Sequence, residues 1–505
     1  MDYNSPVLRD NWGSDSSRGH YKMTLPAEIQ KIIKELGNAG YEGYAVGGCV
    51  RDLVLSEVEG LPIKPKDWDI ATNAKPEEIQ KVFPDSFYAN KFGTVTVKTD
   101  SADNILREIQ ITPYRIEAKY TDKRHPEEVK FVSKLDDDLS RRDFTINALA
   151  TADGKLIVDL FGGQTDLKEK IIRTVGKPGD RFGEDALRLL RAVRFAAALD
   201  FSIEEKTLNA IGENAELLRA ISKERIRDEF LKIVESDKAY EGMLMLHETG
   251  LLKFIVPELE DGIGVGQNLH HIYTVWEHNL LALKYAADKK YSTEVRLASL
   301  FHDIGKPQTK RGEGKYSTFY GHDVVGARIT ARILERLRFS KEQAEIIIKF
   351  VRYHLFYYNV GEVTESSVRR LLANVGPENI ENLIKVREAD RIGSGRPKAV
   401  PYKLRHLKYI IDKVSHDPIS AKMLKVNGED VMKELGIPPG PKVGLILNSL
   451  LSEILEDPAK NTDEYLRNGI RKLDKKSPEE LKRSLEQIEK AQKKAEEERM
   501  KKYYV

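Results

Sequence analysis

The feature that most constrains the fold is a change of pattern near residue 160. Before it, β-rich runs (Tyr44 to Val46, Gly93 to Lys98, Ile105 to Thr112, Val129 to Val132) alternate with helical ones, the first helix expected over Leu25 to Leu36. That alternation predicts a small mixed sheet with flanking helices. After Asp159-Leu-Phe-Gly-Gly163 the chain turns almost wholly helical, with long helices expected over 182–199 and 223–248 and a histidine-bearing helical region over about 270–395. Gly393-Ser-Gly395 and Pro397 mark a boundary, and Gly436 to Lys442 a turn inside a further helical module. A chain of 505 residues is too long for one core, so an α+β architecture of three or more domains is expected.

Composition excludes several classes. Hydrophobic residues at 40% and charged residues at 32% describe an ordered, water-exposed protein. The single cysteine, Cys49, rules out an internal disulfide and a cysteine-rich zinc site. Residues 1–23 are polar and read as a disordered leader, and no run approaches a membrane span. A cytoplasmic protein with no membrane partner is expected. The formal charge of +2 neither advertises nucleic-acid binding nor excludes it, because a basic groove matters more than the sum.

Two local patterns carry chemistry in the β-rich part. Val46-Gly47-Gly48-Cys49-Val50-Arg51-Asp52 puts two glycines between a strand and an incipient helix, where exposed N–H groups favour phosphate. Alone, a Gly-Gly pair marks ordinary turns. Lys66-Asp67-Trp68-Asp69-Ile70 adds two carboxylates two residues apart, which share one face if the segment is a strand. Such a pair is costly without a cation. Two magnesium ions roughly 4 Å apart would resolve the repulsion and serve in-line phosphoryl transfer.

These motifs resemble the first signature of the bacterial-type (class II) tRNA CCA-adding nucleotidyltransferases and their poly(A) polymerase relatives: Gly47-Gly48, Arg51-Asp52, then Asp67-x-Asp69-Ile-Ala-Thr72. Three more segments follow in family order. Arg141-Arg-Asp-Phe-Thr-Ile-Asn-Ala148 resembles the ribose-recognition segment and Gly183-Glu-Asp-Ala-Leu-Arg188 the base-recognition helix, and Ser222 to Glu229 resembles the element after it. The resemblance implies a polymerase β-like nucleotidyltransferase head, an all-α neck, an HD-type body and a tail. It implies template-independent addition of CCA to tRNA from CTP and ATP, with Asp67 and Asp69 holding Mg2+. Gly47, Gly48, Arg51, Arg142, Asp143, Asn147, Asp185, Arg188, Arg191 and Arg194 become nucleotide-binding candidates. Where the family has a third carboxylate, five residues before the arginine of a Tyr-Arg pair, this chain has Gln110; Glu108, on the same strand face, is the candidate substitute.

The base-recognition assignment is coherent as hydrogen-bond chemistry. Cytosine and adenine both show an exocyclic amino donor beside a ring-nitrogen acceptor. A carboxylate with a guanidinium, Asp185 with Arg188, would accept both and reject guanine and uracil. Without the resemblance, Glu184, Asp185 and Arg188 read as a salt-bridged surface helix. Asp143, with Arg142 beside it, would contact the ribose. Tyr114 to Pro126 resembles the family's flexible loop, linked to the switch from CTP to ATP, with His125 where a second arginine is commoner.

Eleven histidines are few, and their placement is informative. His278, His302-Asp303, His322, His354 and Asp390 fall on separate helical segments in the order of the HD superfamily of metal-dependent phosphohydrolases. His278, His302, Asp303 and Asp390 are the expected ligands of Mg2+ or a divalent transition metal, with His322 and His354 as further candidates. A relic scaffold that only shapes the RNA-binding body is the alternative. The expected organisation is leader 1–23, head 24–160, neck 161–235, HD-type domain 236–400, helical tRNA-binding module 401–475 and charged helical tail 476–505. A poly(A) polymerase, a partial enzyme adding only A or only CC, and an HD phosphohydrolase with an inactive head are the competing readings.

Overall fold

A computed structural model describes residues 23–88, 93–120, 126–268, 272–356, 358–361 and 363–501. Residues 1–22 of the expected leader, and 121–125 of the expected loop with His125, lie outside the described residues. Met23, the last residue of the expected leader, is buried. The chain divides at Pro257 into two compact units.

The first unit is built on a sheet of β1 (Tyr44–Val46), β2 (Asp69–Thr72), β3 (Ser86–Tyr88), β4 (Val95–Lys98), β5 (Glu108–Pro113), β8 (Leu149–Thr151) and β9 (Val158–Asp159), in the order β3-β4-β5-β2-β1-β8-β9. Only β2 and β5 run parallel; the other neighbours are antiparallel. The sheet is therefore mixed, as the alternating runs predict. β6 (Arg115–Tyr120) and β7 (Pro126–Phe131) form a separate antiparallel pair. β5 alternates Glu108, Gln110 and Thr112 toward one side with Ile109 and Ile111 buried on the other, the period-2 pattern of a half-buried strand.

The helical part of this unit departs from the sequence expectation in two places. The run over 182–199 is not one helix: it breaks at Asp185, which is extended between helices Pro178–Glu184 and Leu187–Leu199. The run over 223–248 is likewise two helices, Lys223–Val234 and Ala239–Glu248. Periodicity carries through both breaks because each flanking helix keeps its apolar face toward the same core, through Leu189, Val193, Ile226, Phe230 and Met243.

The second unit is helical. Helices Val275–Asp288, Thr293–Phe301, His322–Arg336, Lys341–Tyr353 and Ile380–Gly393 pack as a bundle. Thr274 and Glu277 form a reciprocal capping box that fixes where the first begins. Two close backbone approaches set the bundle's centre. A Cβ on Gly393 would lie 2.9 Å from the carbonyl oxygen of His278, and one on Gly305 only 2.2 Å from that of His322. Only glycine permits these helices to meet at that depth.

Further helices, Gly428–Leu435, Pro441–Glu456, Asp463–Asp474 and Pro478–Lys501, enclose a second apolar core of Val431, Ile446, Leu450, Ile454, Leu466 and Ile470. Buried Arg369 fastens this core to helix Glu365–Val375. Its Nε donates to the Leu455 carbonyl (2.8 Å), its Nη2 to the Glu456 carbonyl (3.1 Å) and its Nη1 to Asp417 (2.8 Å). The charged segment after residue 476 is helical as expected, but its first turn is not free: Leu481 is fully buried in this core.

The approach at Gly305 gives a prediction. Gly305→Ala places a methyl group against fixed backbone rather than a yielding side chain, so it destabilises the bundle by about 1–3 kcal/mol or more. Thermal unfolding of the variant should show the loss as a lowered melting temperature.

Candidate active sites

The turn at Gly47 shapes the first site. Gly47 has φ +81° and opens helix Gly48–Glu59. A Cβ there would lie 2.8 Å from Arg142 Nη1, and one on Gly48 would lie 3.7 Å from the Asp67 carboxylate. The backbone thus passes between a cation and a carboxylate, and a side chain at Gly47 would displace Arg142. β2 starts at Asp69, so Asp67 stands in the extended lead-in rather than in the strand. Trp68 is buried while Asp67 is exposed, so the two sides separate as the spacing predicts.

Asp67 and Asp69 share a cleft of about 450 Å³ with Glu108 and Gln110. In the β2–β5 register Asp69 is directly opposite Gln110, with Glu108 one pleat further back on the same face. Burial pushes the Asp69 carboxyl above its usual range, Arg142 opposes that, and Asp67 adds to it. Lys66, Asn104 and Ile105 also line the cleft, and nothing in the sequence pattern marks the last two.

Beside the Gly47-Gly48 turn stands a cationic network. Arg51 Nη1 donates to Asn147 Oδ1 (2.9 Å), and Asn147 Nδ2 donates to Asp143 Oδ1 (3.1 Å). Asp143 also accepts from the Phe144 N–H (2.8 Å), from Arg191 Nε (2.8 Å) and from Arg191 Nη2 (2.6 Å). Burial resists its ionisation, yet Arg191 and Asn147 hold the carboxyl far below the usual range. Protein donors thus occupy four acceptor directions of the Asp143 carboxylate, which Asn147 and Arg191 hold in place.

Phe195 gathers this charge. Arg51, Arg191 and Arg194 lie 5.2, 5.3 and 3.9 Å from its ring centroid, and Phe144 meets it edge-on. Burial lowers Arg194 to about 10, Glu229 opposes that from 2.9 Å, and Arg191 reinforces it. Guanidiniums gathered around one aromatic ring are suited to a polyanion. Arg142 donates to Asp138 (3.2 Å) and to the Asn147 carbonyl (3.4 Å), at the edge of the same network.

Asp185 and Arg188 do not pair with each other. Arg188 Nη1 bonds Glu184 (2.7 Å) and its Nη2 the Arg141 carbonyl (3.1 Å). Asp185 accepts from the Leu187 N–H (3.0 Å), covering the start of the second helix, and from Arg225 Nη2 (3.1 Å). The break at Asp185 causes this, because it turns the carboxylate away from the i+3 position that a continuous helix would give it. Arg225, 40 residues away, was not legible as a partner.

The second unit holds a separate cluster. His302, His322 and His354 each face the carbonyl three residues back through Nδ1, at 2.8, 2.7 and 2.7 Å from Ser299, Phe319 and Val351. Those bonds place a proton on each Nδ1 and turn each Nε2 inward. Asp303 lies between two such groups. Its Oδ2 is 3.1 Å from His278 Nε2 and 3.4 Å from His302 Nε2; its Oδ1 is 3.3 Å from His322 and 3.7 Å from His354. Asp390 Oδ1 is 3.3 Å from His278, and the His278 and His302 Nε2 atoms are 2.8 Å apart. Five of the six residues that the sequence singled out therefore form two ligand groups that share Asp303, and Asp390 stands beside the first. Burial disfavours charge on His302, yet Asp303 and Asp390 lift it to about 10. Lys306, which the sequence reading did not single out, is 2.5 Å from Asp303 and donates to Gln267 (2.6 Å).

Gly47→Ala tests the turn. A side chain at this φ is strained by about 1–2 kcal/mol, and its Cβ displaces Arg142. Calorimetric titration with CTP should show affinity lowered at least about tenfold, the equivalent of 1.4 kcal/mol.

Comparison with known proteins matches this geometry. The Poly A polymerase head domain family matches residues 43–173, the family described as the probable RNA and SrmB-binding site of polymerase A matches 200–263, and the HD domain family matches 269–394. A CCA-adding enzyme of Ligilactobacillus salivarius is 35% identical over 456 residues, 89% of this chain and 98% of that protein. One of Lactococcus lactis is 32% identical over 89% of this chain and 98% of its own. The crystal structure of the Bacillus stearothermophilus CCA-adding enzyme in complex with CTP superposes with a TM-score of 0.65 at 27% identity, covering 89% of this chain and 98% of that one. Full-length similarity of this order, over a head whose acidic cleft and arginine network are in place, shows that the chain belongs to the CCA-adding enzymes, a family of tRNA nucleotidyltransferases.

Proposed function

We propose that the protein extends tRNA 3′ ends with C, C and A from CTP and ATP, with Asp67 and Asp69 as the catalytic carboxylates. The observation that carries this reading is the pairing of an acidic cleft with the arginines around Phe195 beside the Gly47-Gly48 turn. In the reaction the 3′-oxygen of the RNA bonds to the α-phosphorus, the bond from that phosphorus to the bridging oxygen breaks, and pyrophosphate leaves with the electron pair. The hydroxyl proton passes to solvent. Asp67 and Asp69, the latter raised by burial and, to a lesser degree, by Asp67, are the residues that would hold Mg2+, and Glu108 on the same cleft wall is the third candidate. Bound there, Mg2+ would supply charge neutralisation for the transferring phosphate. Arg51, Arg191 and Arg194 would hold the triphosphate, Asn147 would keep Arg51 in register with Asp143, and Arg142 with the Gly47-Gly48 turn would close the phosphate side.

Asp185 and Arg188 would select the base, each held by its own partner: Asp185 by Arg225, Arg188 by Glu184. A carboxylate that accepts and a guanidinium that donates would favour cytosine and adenine. Purified protein incubated with tRNAs ending at the discriminator base, at C or at CC, with CTP and ATP singly and together, should complete CCA on each and stop. Homopolymeric A tails would favour the poly(A) polymerase reading, and products limited to A or to CC the partial-enzyme reading. Asp67→Asn and Asp69→Asn should each cut the rate by roughly 10²–10³-fold, the size of losing one preorganised electrostatic contact. Asp185→Ala should relax base choice as well as slow addition.

A second activity is favoured by the convergence of Nε2 atoms on a shared carboxylate. His278, His302, Asp303 and Asp390 would hold one divalent ion, and Asp303 with His322 and His354 a second; Mg2+ or a transition metal suits this donor set. A metal bound there would supply activated water for hydrolysis of a phosphate monoester or a 2′,3′-cyclic phosphate at RNA ends. Elemental analysis of wild type should find divalent metal, and Asp303→Asn should lose it together with phosphoesterase activity while keeping nucleotide addition. Loss of hydrolysis and addition together would assign the cluster a structural role.

A further inference from the structure

We propose that the loop between β4 and β5, residues 99–107, seats the acceptor end of the RNA, with Asn104 and Ile105 as positioning residues for its terminal nucleotide. The inference rests on the nucleotidyl-transfer reading above and names a place for the second substrate. In-line transfer needs the attacking hydroxyl opposite the leaving pyrophosphate across the α-phosphorus, so acceptor and triphosphate reach the catalytic carboxylates from different directions. Sheet order divides the site in that sense. β2, at the head of which Asp69 stands, lies between β1 and β5. The β1 side leads into the Gly47-Gly48 turn and the arginines, which suit a triphosphate. The β5 side has Glu108 and Gln110, and beyond them the loop that brings Asn104 and Ile105 to the same cleft.

The loop is rigidly braced, as a positioning element must be. Thr99 Oγ1 donates to the Leu106 carbonyl (2.6 Å), and the Thr99 N–H to that of Arg107 (2.9 Å). Within the span, Asp103 Oδ1 accepts from the Ile105 N–H (3.0 Å) and Ser101 Oγ from the Asp103 N–H (3.2 Å). These bonds present Ile105 to the cleft with 40% of its surface exposed, a large apolar side chain at the mouth of a carboxylate-lined site. A nucleoside face stacked there would cover this side chain and gain from its burial. The chemistry also matches the demand. The acceptor terminus changes at every addition, so its seat must tolerate any base. An aliphatic side chain packs against any base or sugar without reading it, and an amide both donates and accepts. Lys66, on the same cleft wall, supplies a cation for the acceptor's phosphodiester.

Steady-state kinetics of Ile105→Ala and Asn104→Ala test this, with acceptors ending at the discriminator base (CTP) and at CC (ATP). KM for the acceptor should rise about five- to tenfold for both acceptors, with KM for CTP and ATP and the directly measured CTP affinity changed by less than about twofold. Ile105→Leu should restore the acceptor KM. An unchanged acceptor KM, a parallel rise in nucleotide KM, or a fall in kcat alone would overturn the proposal. The wild-type arm decides the underlying reading separately: if wild type fails on tRNA but extends an oligoribonucleotide with ATP, the same KM split is read on that acceptor.

Discussion

Charge held out of balance by a rigid frame is what the first unit is organised around. Burial holds the Asp69 carboxyl above its usual range and neighbouring Asp67 adds to the cost, while Arg51, Arg191 and Arg194 gather around the Phe195 ring. The turn at Gly47 and Gly48 brings charge of both signs together: Arg142 lies against Gly47, and Arg51 Nη2 and the Asp67 carboxylate both lie against Gly48. That pattern is complementary in sign to a nucleoside triphosphate and its cations.

The second unit solves a related problem differently. There backbone carbonyls take the Nδ1 protons of His302, His322 and His354, so it is the Nε2 atoms that face the buried carboxylates. Glycine at 305 and 393 lets the helices close to the depth at which Asp303 and Asp390 reach those nitrogens. Without those two glycines the same ligands would be present and would not converge.

What the sequence disclosed follows the range of the interactions concerned. Short-range patterns were legible: the mixed sheet, the Gly47-Gly48 turn, the Asp67/Asp69 pair and the six ligands of the helical bundle all follow from spacing, residue type and motif order. Interactions fixed by long-range packing were not. Periodicity could not show the break at Asp185, because both helices keep one apolar face, and with the break went the Asp185 partner Arg225, whereas the Glu184–Arg188 pair follows from i,i+4 spacing. Phe195 belongs to none of the motifs, and the three arginines around its ring come from two separate helices. Asn104 and Ile105 belong to no motif, since a seat indifferent to base identity leaves no chemical signature in residue type.

The last helix, Pro478–Lys501, has a consequence of its own. Leu481 is locked into the apolar core, Leu485 is half-buried, and every side chain from Glu486 to Ala491 is exposed. Its length of 24 residues corresponds to a rod of about 36 Å. Only the first turns are stabilised by packing. The exposed stretch depends on intrinsic propensity and on Lys–Glu neighbours one turn apart, a helix–coil equilibrium fastened at one end. Salt and temperature therefore shorten or lengthen this charged rod by degrees, under conditions in which the core that anchors it stays folded.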